Sequence, residues 1–300
     1  MSITGYIRPR ESHPPIQHRI VKTRYFTKVL LSRPIVVVGL IIILVNIIAA
    51  IFAPLLAPYD PYEINVKEAL SQPSFQHPLG TDSLGRDTLS RLIYGTRTSL
   101  IISILAVGFS VVFGMSLGLI AGYFGGITNT IIMRFIDALM SCPGVILALT
   151  IGTLLGGGMI AIIVAVGVSM TAMYARLMWS QVLTVQQNDY IKAEYAQGAS
   201  SLRIMFQHIL PNCFPVLIVT VTMQMGAAIL MEAGLSFLGI GIKAPGAAWG
   251  FMINDGYTYL TSHPILSFAP GLAIILLVFA FNMVGDGLRD ALDPRLRGTL

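Results

Sequence analysis

Hydrophobic residues form long runs along this chain, separated by short polar stretches, without the strand-like alternation of a half-buried sheet. A transmembrane helix needs about 20 mostly apolar residues, because each residue rises about 1.5 Å and the hydrocarbon core is about 30 Å thick. Six segments meet this requirement: residues 35–57, 99–122, two segments divided at Gly156-Gly157-Gly158 within the stretch 138–175 that has no charged residue, 213–242 and 265–284. The pattern predicts an all-α integral membrane protein with about six transmembrane helices.

The composition supports a membrane location. Of the 300 residues, 55% are hydrophobic and 11% are charged, well below the roughly 25% charged residues of a soluble domain. The net charge of +5 does not indicate nucleic acid, because the N-terminal basic residues lie directly ahead of an apolar run, as in a cytoplasmic flank that attracts anionic lipid. That first run, preceded by 34 residues, is too long for a cleaved signal peptide.

The distribution of Lys and Arg predicts the orientation in the membrane. The side richer in these residues normally stays in the cytoplasm, and 14 of the 19 fall on the side of the two termini when Arg176 is counted with the loop after the fourth span. Both termini are therefore predicted to be cytoplasmic. The resulting division is an N-terminal segment 1–34, a first helix 35–57, an outer loop 58–98, a five-helix core 99–286 that includes a cytoplasmic loop 186–211, and a tail 287–300.

The outer loop is predicted to contain a short helix over residues 86–94 with one apolar face, which suits a position flat in the membrane interface. Asp87 near its start and Arg91 near its end complement the helix dipole. Such a loop either simply joins two spans or forms a docking surface for an external binding protein.

The cytoplasmic loop is predicted to form two short helices. Asn188 or Asp189 caps the first, which ends at Gly198, and Ser200 or Ser201 caps the second, which stops at Pro211. One apolar stripe is expected on the second helix, formed by Leu202, Met205, Phe206 and Ile209. This arrangement is either a plain connector or a projection that a soluble partner grips.

Several kinds of chemistry are missing from the sequence. No lysine follows a glycine, so there is no P-loop to wrap the phosphates of ATP. The histidines are scattered without metal-ligand spacing, and no nucleophile is grouped with a base. Cys142 and Cys213 both lie in apolar surroundings and are interpreted as core packing. The energy for any transport must therefore come from a partner or from an ion gradient.

Ionisable residues inside a membrane usually have a function, because burying a charge in hydrocarbon is expensive. Glu232 lies inside the apolar stretch 213–242, where it either lines a pathway or caps a helix break at Gly234. Arg134 and Asp137 are three residues apart at the start of the third span and are interpreted as an ion pair within one helix.

Four groups of residues, in order along the chain, form a distinctive pattern. They are His77-Pro78-Leu79-Gly80-Thr81-Asp82 with Gly85-Arg86-Asp87 and Leu89-Ser90-Arg91-Leu92; Gly198-Ala199-Ser200 with His208-Ile209-Leu210-Pro211-Asn212; Leu235-Ser236-Phe237-Leu238-Gly239 with Trp249-Gly250; and Phe281-Asn282 with Gly285-Asp286-Gly287-Leu288-Arg289-Asp290 and Asp293-Pro294-Arg295-Leu296. Over about residues 30–297 the chain resembles the shorter of the two permease types in the dipeptide, oligopeptide and nickel family of ABC importers.

The resemblance implies the permease fold of a type I ABC importer in the bacterial cytoplasmic (inner) membrane. It implies three kinds of protein partner besides lipid: a second, different permease, two cytoplasmic ATPase subunits that use ATP and Mg²⁺, and an extracytoplasmic solute-binding protein. This chain would then bind no cofactor or metal and would not itself be an enzyme. The family's docking motif on the cytoplasmic loop begins with a glutamate, but Lys192 occupies that slot here. The implied coupling residues are Lys192, Ala193, Glu194, Gly198, Ala199 and Ser200.

The resemblance leaves the cargo open. Short peptides are the leading expectation, and nickel or another small solute carried by the same kind of machine is the alternative. A self-sufficient secondary transporter is the alternative from a different class. The scarcity of charges within the spans and the absence of an evident internal repeat count against it.

Overall fold

The computed structural model describes residues 30–242 and 245–292, and within these ranges the chain is helical with a single isolated β-bridge between Thr81 and Asp87. The helices are α1 Pro34–Ile51, α2 Ala53–Leu56, a 3₁₀ helix Val66–Glu68, α3 Thr88–Phe124, α4 Gly126–Met140, α5 Gly144–Leu154, α6 Met159–Gln186, α7 Asp189–Ala196, α8 Ser201–Arg203, a π-helical segment Ile204–Ile209, α9 Leu210–Phe237, α10 Trp249–Tyr257 and α11 Ile265–Leu292. Five helical runs are long and apolar enough to span a membrane, one of them the continuous run Ser201–Phe237, and the bent pair α4 and α5 counts as a sixth when it is taken as one span. The prediction of about six spans is confirmed. Most of the terminal basic residues lie outside the described ranges.

The first span packs along the last one. Gly39 on α1 approaches so closely that a Cβ there would lie 2.9 Å from the carbonyl oxygen of Ala280 on α11. Most other large side chains of α1 are exposed, as expected for a helix at the edge of the bundle that faces lipid.

The prediction of a separate interfacial helix in the outer loop is wrong. It is the beginning of α3, which runs unbroken for 37 residues and is about 56 Å long, far more than the hydrocarbon core requires. Asp87 caps this helix by accepting a hydrogen bond from the backbone N–H of Ser90 at 2.7 Å. The helix continues past Tyr94 because no residue before Ser99 breaks it, and its first turns extend above the membrane.

The third span is broken rather than continuous. The axes of α4 and α5 differ by 89° at residues 141–143, which we call the elbow. Pro143 occupies the N-cap position of α5 with non-helical backbone. A proline has no N–H to donate and disfavours helical backbone in the residue before it, so Pro143 explains the break. The glycine turn at 156–158 then leads into α6, as the sequence predicts.

The centre of the fold is the contact between α3 and α6. Gly118 on α3 lies so close to α6 that a Cβ there would meet the carbonyl oxygen of Ala175 at 2.3 Å. Small residues permit this approach of two helix backbones, which is the usual way for membrane helices to gain packing contacts.

Four further expectations are wrong. The helix predicted to stop at Pro211 continues from the π-helical segment into α9, of which Pro211 is the second residue. No break occurs at Gly234, since α9 runs on to Phe237. Arg176 does not lie in the loop after the fourth span but within α6, where it pairs with Asp137 of α4, so Asp137 does not form the predicted pair with Arg134.

Candidate functional site

The cytoplasmic loop contains the predicted glycine turn. The helix α7 ends in a Schellman motif, in which the N–H of Gly198 donates to the carbonyl of Tyr195 and the N–H of Ala199 donates to the carbonyl of Glu194, both at 3.1 Å. Gly198 has φ of +73°, in the left-handed region. No other group lies near the position of a Cβ at Gly198, so backbone conformation alone selects glycine there.

The second half of the loop starts as predicted and then differs. Ser200 caps α8 by accepting a hydrogen bond from the N–H of Arg203 at 3.4 Å. Asn188 occupies the N-cap position of α7, but its side chain bonds back to the carbonyl of Val185 instead of capping. One of the two predicted side-chain caps is therefore present.

The predicted apolar stripe is only half correct. Met205 and Ile209 are buried, whereas Leu202 is 66% exposed and Phe206 is 56% exposed. The reason is the π-helical segment, whose i→i+5 hydrogen bonds bring Ile204 and Ile209, five residues apart, onto the buried face. An α-helical period does not describe this segment.

A compact apolar cluster holds the loop against the bundle. Ile191 of α7 is fully buried and shares this cluster with Ile204 and Ile209 of the π-helical segment and with Met178 and Val182 of α6. The two halves of the loop are therefore fixed to the cytoplasmic end of α6, so a force on the loop would be transmitted to a spanning helix.

The outward surface of the loop is polar and aromatic. Nζ of Lys192 donates to Asp189 at 2.9 Å, an exposed pair of little energetic value. Glu194 is half-buried, with its carboxylate 3.5 Å from Nε2 of His208. Ala193, Gly198 and Ser200 are exposed, and Ala199 is half-buried.

Two tyrosines of α7 add aromatic area to this surface. Tyr190 and Tyr195 are both 45% exposed. The ring of Tyr195 stacks on Tyr123 at the end of α3, with centroids 6.2 Å apart, and desolvation raises the pKa of its phenol. Tyr195 remains neutral at physiological pH and acts as a hydrogen-bonding aromatic group.

Glu232 lies far from the loop, within α9. Its side chain is fully buried, and its carboxylate accepts hydrogen bonds from Oγ of Ser99 on α3 at 3.0 Å and from Oγ of Ser236 at 2.8 Å. It does not cap a break, because the helix around it is continuous. Whether it contributes to a pathway stays a prediction, since in this conformation α3 covers it.

Sequence reasoning missed a buried polar cluster on the outer side. Arg91 donates hydrogen bonds to the carbonyls of Pro61, Pro245 and Gly246 at 3.1–3.2 Å and lies 3.3 Å from Asp82. This one guanidinium joins three separated outer segments. The high density of polar residues around 77–91 was the feature of the sequence that could have indicated this cluster. Cys213 is buried as predicted, and Cys142 at the elbow is partly exposed. Among the described residues, no three His, Cys, Asp or Glu side chains are grouped to hold a metal ion.

Two family profiles match the chain. Residues 114–298 match the family described as the binding-protein-dependent transport system inner membrane component. Residues 23–78 match the N-terminal transmembrane domain of oligopeptide transport permease C.

Similar curated proteins extend over almost the whole chain. A dipeptide transport system permease protein of Alkalihalophilus pseudofirmus is 40% identical over 96% of this chain and 95% of its own length. A glutathione transport system permease protein of Pectobacterium atrosepticum is 39% identical over 95% of each chain. An oligopeptide transport system permease protein of Bacillus subtilis is 41% identical over 89% of this chain and 87% of its own.

A solved structure of the MetNI methionine ABC transporter in an inward-facing conformation has the same fold. One of its chains matches 68% of this chain and 96% of its own length, with a TM-score of 0.55 and 20% identity. The expected type I permease fold is confirmed, as is the multi-pass location in the bacterial inner membrane. This chain belongs to the family of binding-protein-dependent transport system inner membrane components, as a permease of the ABC transporter class.

Proposed function

We propose that this chain is one of two different permease subunits in an ATP-driven importer of short peptides. The observation that carries the proposal is its identity of about 40%, over nearly the full length, with permeases named for dipeptides, glutathione and oligopeptides. All three of those cargoes are short peptides. Nickel and other small solutes are less well supported, because none of these relatives is named for them.

ATP hydrolysis takes place in separate subunits. The sequence offers no P-loop, so two cytoplasmic ATPases would bind ATP and Mg²⁺ and hydrolyse the nucleotide. Their closure and opening would shift the permease pair between inward-facing and outward-facing populations. An extracytoplasmic binding protein would deliver the peptide to the outer face.

The cytoplasmic loop is the proposed contact with an ATPase. Its underside is fixed to α6 by fully buried isoleucines, and its outer side presents the exposed aromatic and apolar groups that protein interfaces favour. The docking set consists of Lys192, Ala193, Glu194, Gly198, Ala199 and Ser200, extended by the exposed Tyr190, Leu202 and Phe206. Lys192 replaces a carboxylate of the family motif, so an acidic group on the ATPase is its expected neighbour.

Reconstitution tests the proposal. The complete complex in proteoliposomes should take up a radiolabelled dipeptide only when ATP is present on the ATPase side and the binding protein is on the other. The purified chain alone should hydrolyse no ATP above background. Uptake of Ni²⁺ in place of the dipeptide would overturn the cargo assignment, and uptake by this chain alone, driven by an ion gradient, would overturn the proposed class.

A further inference from the structure

A charged pair lies inside the membrane-spanning region, away from the cytoplasmic loop. The guanidinium of Arg176 on α6 donates to the carboxylate of Asp137 on α4 and lies over the ring of Trp179, 5.8 Å from its centre. Neither the ion pair nor its location is expected from the sequence, which suggests a loop position for Arg176.

The depth of the pair follows from helix geometry. The helix α6 has 28 residues and is about 42 Å long, about 12 Å more than a 30 Å hydrocarbon core, and residues 159–175 at its start carry no charge. Arg176 is ten residues, or about 15 Å, from the cytoplasmic end of α6 at Gln186. A 30 Å core centred on α6 places the Cα of Arg176 about 9 Å inside the core, and a core that begins at Met159 places it about 4 Å inside.

The side chains of this subunit cover the pair only in part. In this subunit the side chain of Arg176 is 39% exposed and that of Asp137 is 44% exposed. Charged side chains at membrane depth face a water-filled cavity or protein, because contact with hydrocarbon is costly. The face of the subunit that carries the pair therefore looks onto an aqueous space or another subunit.

The elbow leads independently to the same conclusion. On one side of the elbow, Asp137 of α4 contacts Arg176 of α6, and on the other side Gly152 of α5 lies against Ala165 of α6. The elbow therefore lies at a depth between those of Ala165 and Arg176. Ser141 and Pro143 are exposed there. Non-helical backbone at this depth is tolerated only inside protein or along a water-filled cavity.

A neutral polar group extends this surface toward the outer side. Nε2 of Gln224 on α9 lies 2.9 Å from the sulfur of Met173, which is one helical turn before Arg176 on α6. The result is a row of Gln224, Arg176 and Asp137, contributed by three different helices, with a positive and a negative group side by side.

We propose that Asp137 and Arg176 line the translocation pathway and bind the opposite charges of a zwitterionic short peptide as it passes. The α-ammonium group of a peptide is complementary to Asp137, and its α-carboxylate is complementary to Arg176. This assignment rests on the proposed function, in which peptides are the cargo. It makes the pair a determinant of which peptide charges the pathway accepts.

Charged tripeptides provide the test. The same binding protein serves the variants and the wild type, so its own selectivity cancels when their uptake is compared. Uptake of Ala-Lys-Ala and of Ala-Glu-Ala by the complete complex is compared between each variant and the wild type. Arg176→Gln leaves Asp137 unopposed and should raise the Lys/Glu uptake ratio about fivefold, whereas Asp137→Asn should lower it about fivefold. Arg203→Gln removes a charge from the exposed cytoplasmic loop and should leave the ratio unchanged.

An equal loss of both tripeptides in both variants, with an unchanged ratio, would mean that the pair only fixes α4 to α6 and would overturn the inference while the proposed function stands. A wild-type complex that imports neither tripeptide would contradict both the inference about the pair and the proposed function.

If the charge variants fail to assemble, the access of water to the elbow provides the test. Ser141→Cys in a Cys142→Ser background should react with a membrane-impermeant charged thiol reagent in at least one nucleotide state. Protection of that thiol in every state would place the elbow against the second permease and contradict the proposal.

Discussion

The carboxylate of Glu232 accepts a hydrogen bond from the hydroxyl of Ser99, at 3.0 Å, and this contact joins α9 to α3 inside the apolar bundle. A second hydroxyl, that of Ser236, bonds the other carboxylate oxygen at 2.8 Å. Each polar group in this small network has a partner, so the network holds two spanning helices together without leaving a buried atom unsatisfied.

Two substitutions separate a fixing role of Glu232 from a role in transport. Glu232→Gln retains an acceptor and the shape of the side chain, so we expect nearly unchanged stability and uptake. Glu232→Leu removes the acceptor of both serines and should destabilise the complex by about 1–3 kcal/mol. Thermal unfolding of the detergent-purified complex measures the difference. A Gln variant that is stable but imports no peptide would instead assign the carboxylate to the pathway.

Trp249 of α10 packs against α3, and this contact yields a second prediction. The indole is fully buried, donates to the carbonyl of Leu92 at 3.0 Å, and lies so close to Gly95 that a Cβ there would be 2.6 Å from Cδ1. Gly95→Ala should therefore lower stability by about 1–3 kcal/mol through overpacking.

Gly108 on the same helix provides the matched control for Gly95. It has open space around its Cβ position, so Gly108→Ala should be neutral or should stabilise the helix by up to about 1 kcal/mol. Equal melting temperatures for the two variants would contradict the close packing of Trp249 on Gly95.

The exposed side of the cytoplasmic loop yields a third prediction. Leu202 and Phe206 protrude, so alanine at both positions should leave the permease folded but weaken ATPase binding by about 1 kcal/mol or more for each side chain. Ile204 lies between Leu202 and Phe206 in the sequence but is fully buried, so it provides the contrast. Ile204→Ala should destabilise the loop itself by about 2–5 kcal/mol.

Titration of nanodisc-embedded permease pairs with the ATPase measures the first effect, and thermal unfolding measures the second. Unchanged ATPase affinity of the double alanine variant would exclude these side chains from the interface. This prediction differs from the expectation from the sequence, in which Leu202 and Phe206 share one apolar stripe with Met205 and Ile209.

The accuracy of the sequence predictions follows from the physics behind each signal. Spans were predictable because hydrocarbon demands uninterrupted apolar length, and the turn at Gly198 was predictable because left-handed backbone favours glycine. The outward position of Phe206 was not, since no residue type marks a π-helical segment. The break at Pro143 had a visible signal in the proline, but its angle depends on packing against α6. The partnership of Asp137 with Arg176 is a contact between distant residues, which spacing along one helix cannot reveal.

The coupling role assigned to the cytoplasmic loop depends most on Gly198. A β-branched side chain in its left-handed conformation should cost about 1 kcal/mol or more, although nothing crowds the site. Gly198→Val should therefore distort the turn while the spans still insert. Ala196→Val, two residues earlier on the exposed surface of α7, adds the same side chain to helical backbone and should cost well under about 1 kcal/mol.

The most direct test is the number of dipeptide molecules imported per ATP hydrolysed by the reconstituted complex. For the wild type and Ala196→Val, we expect the same coupled ratio. For Gly198→Val, either the ATPase should assemble poorly or ATP should be hydrolysed with little or no peptide imported, because the distorted loop no longer passes the motion of the ATPase to α6. A Gly198→Val complex that assembles normally and imports peptide with the wild-type ratio would contradict the coupling role and leave the loop a simple connector.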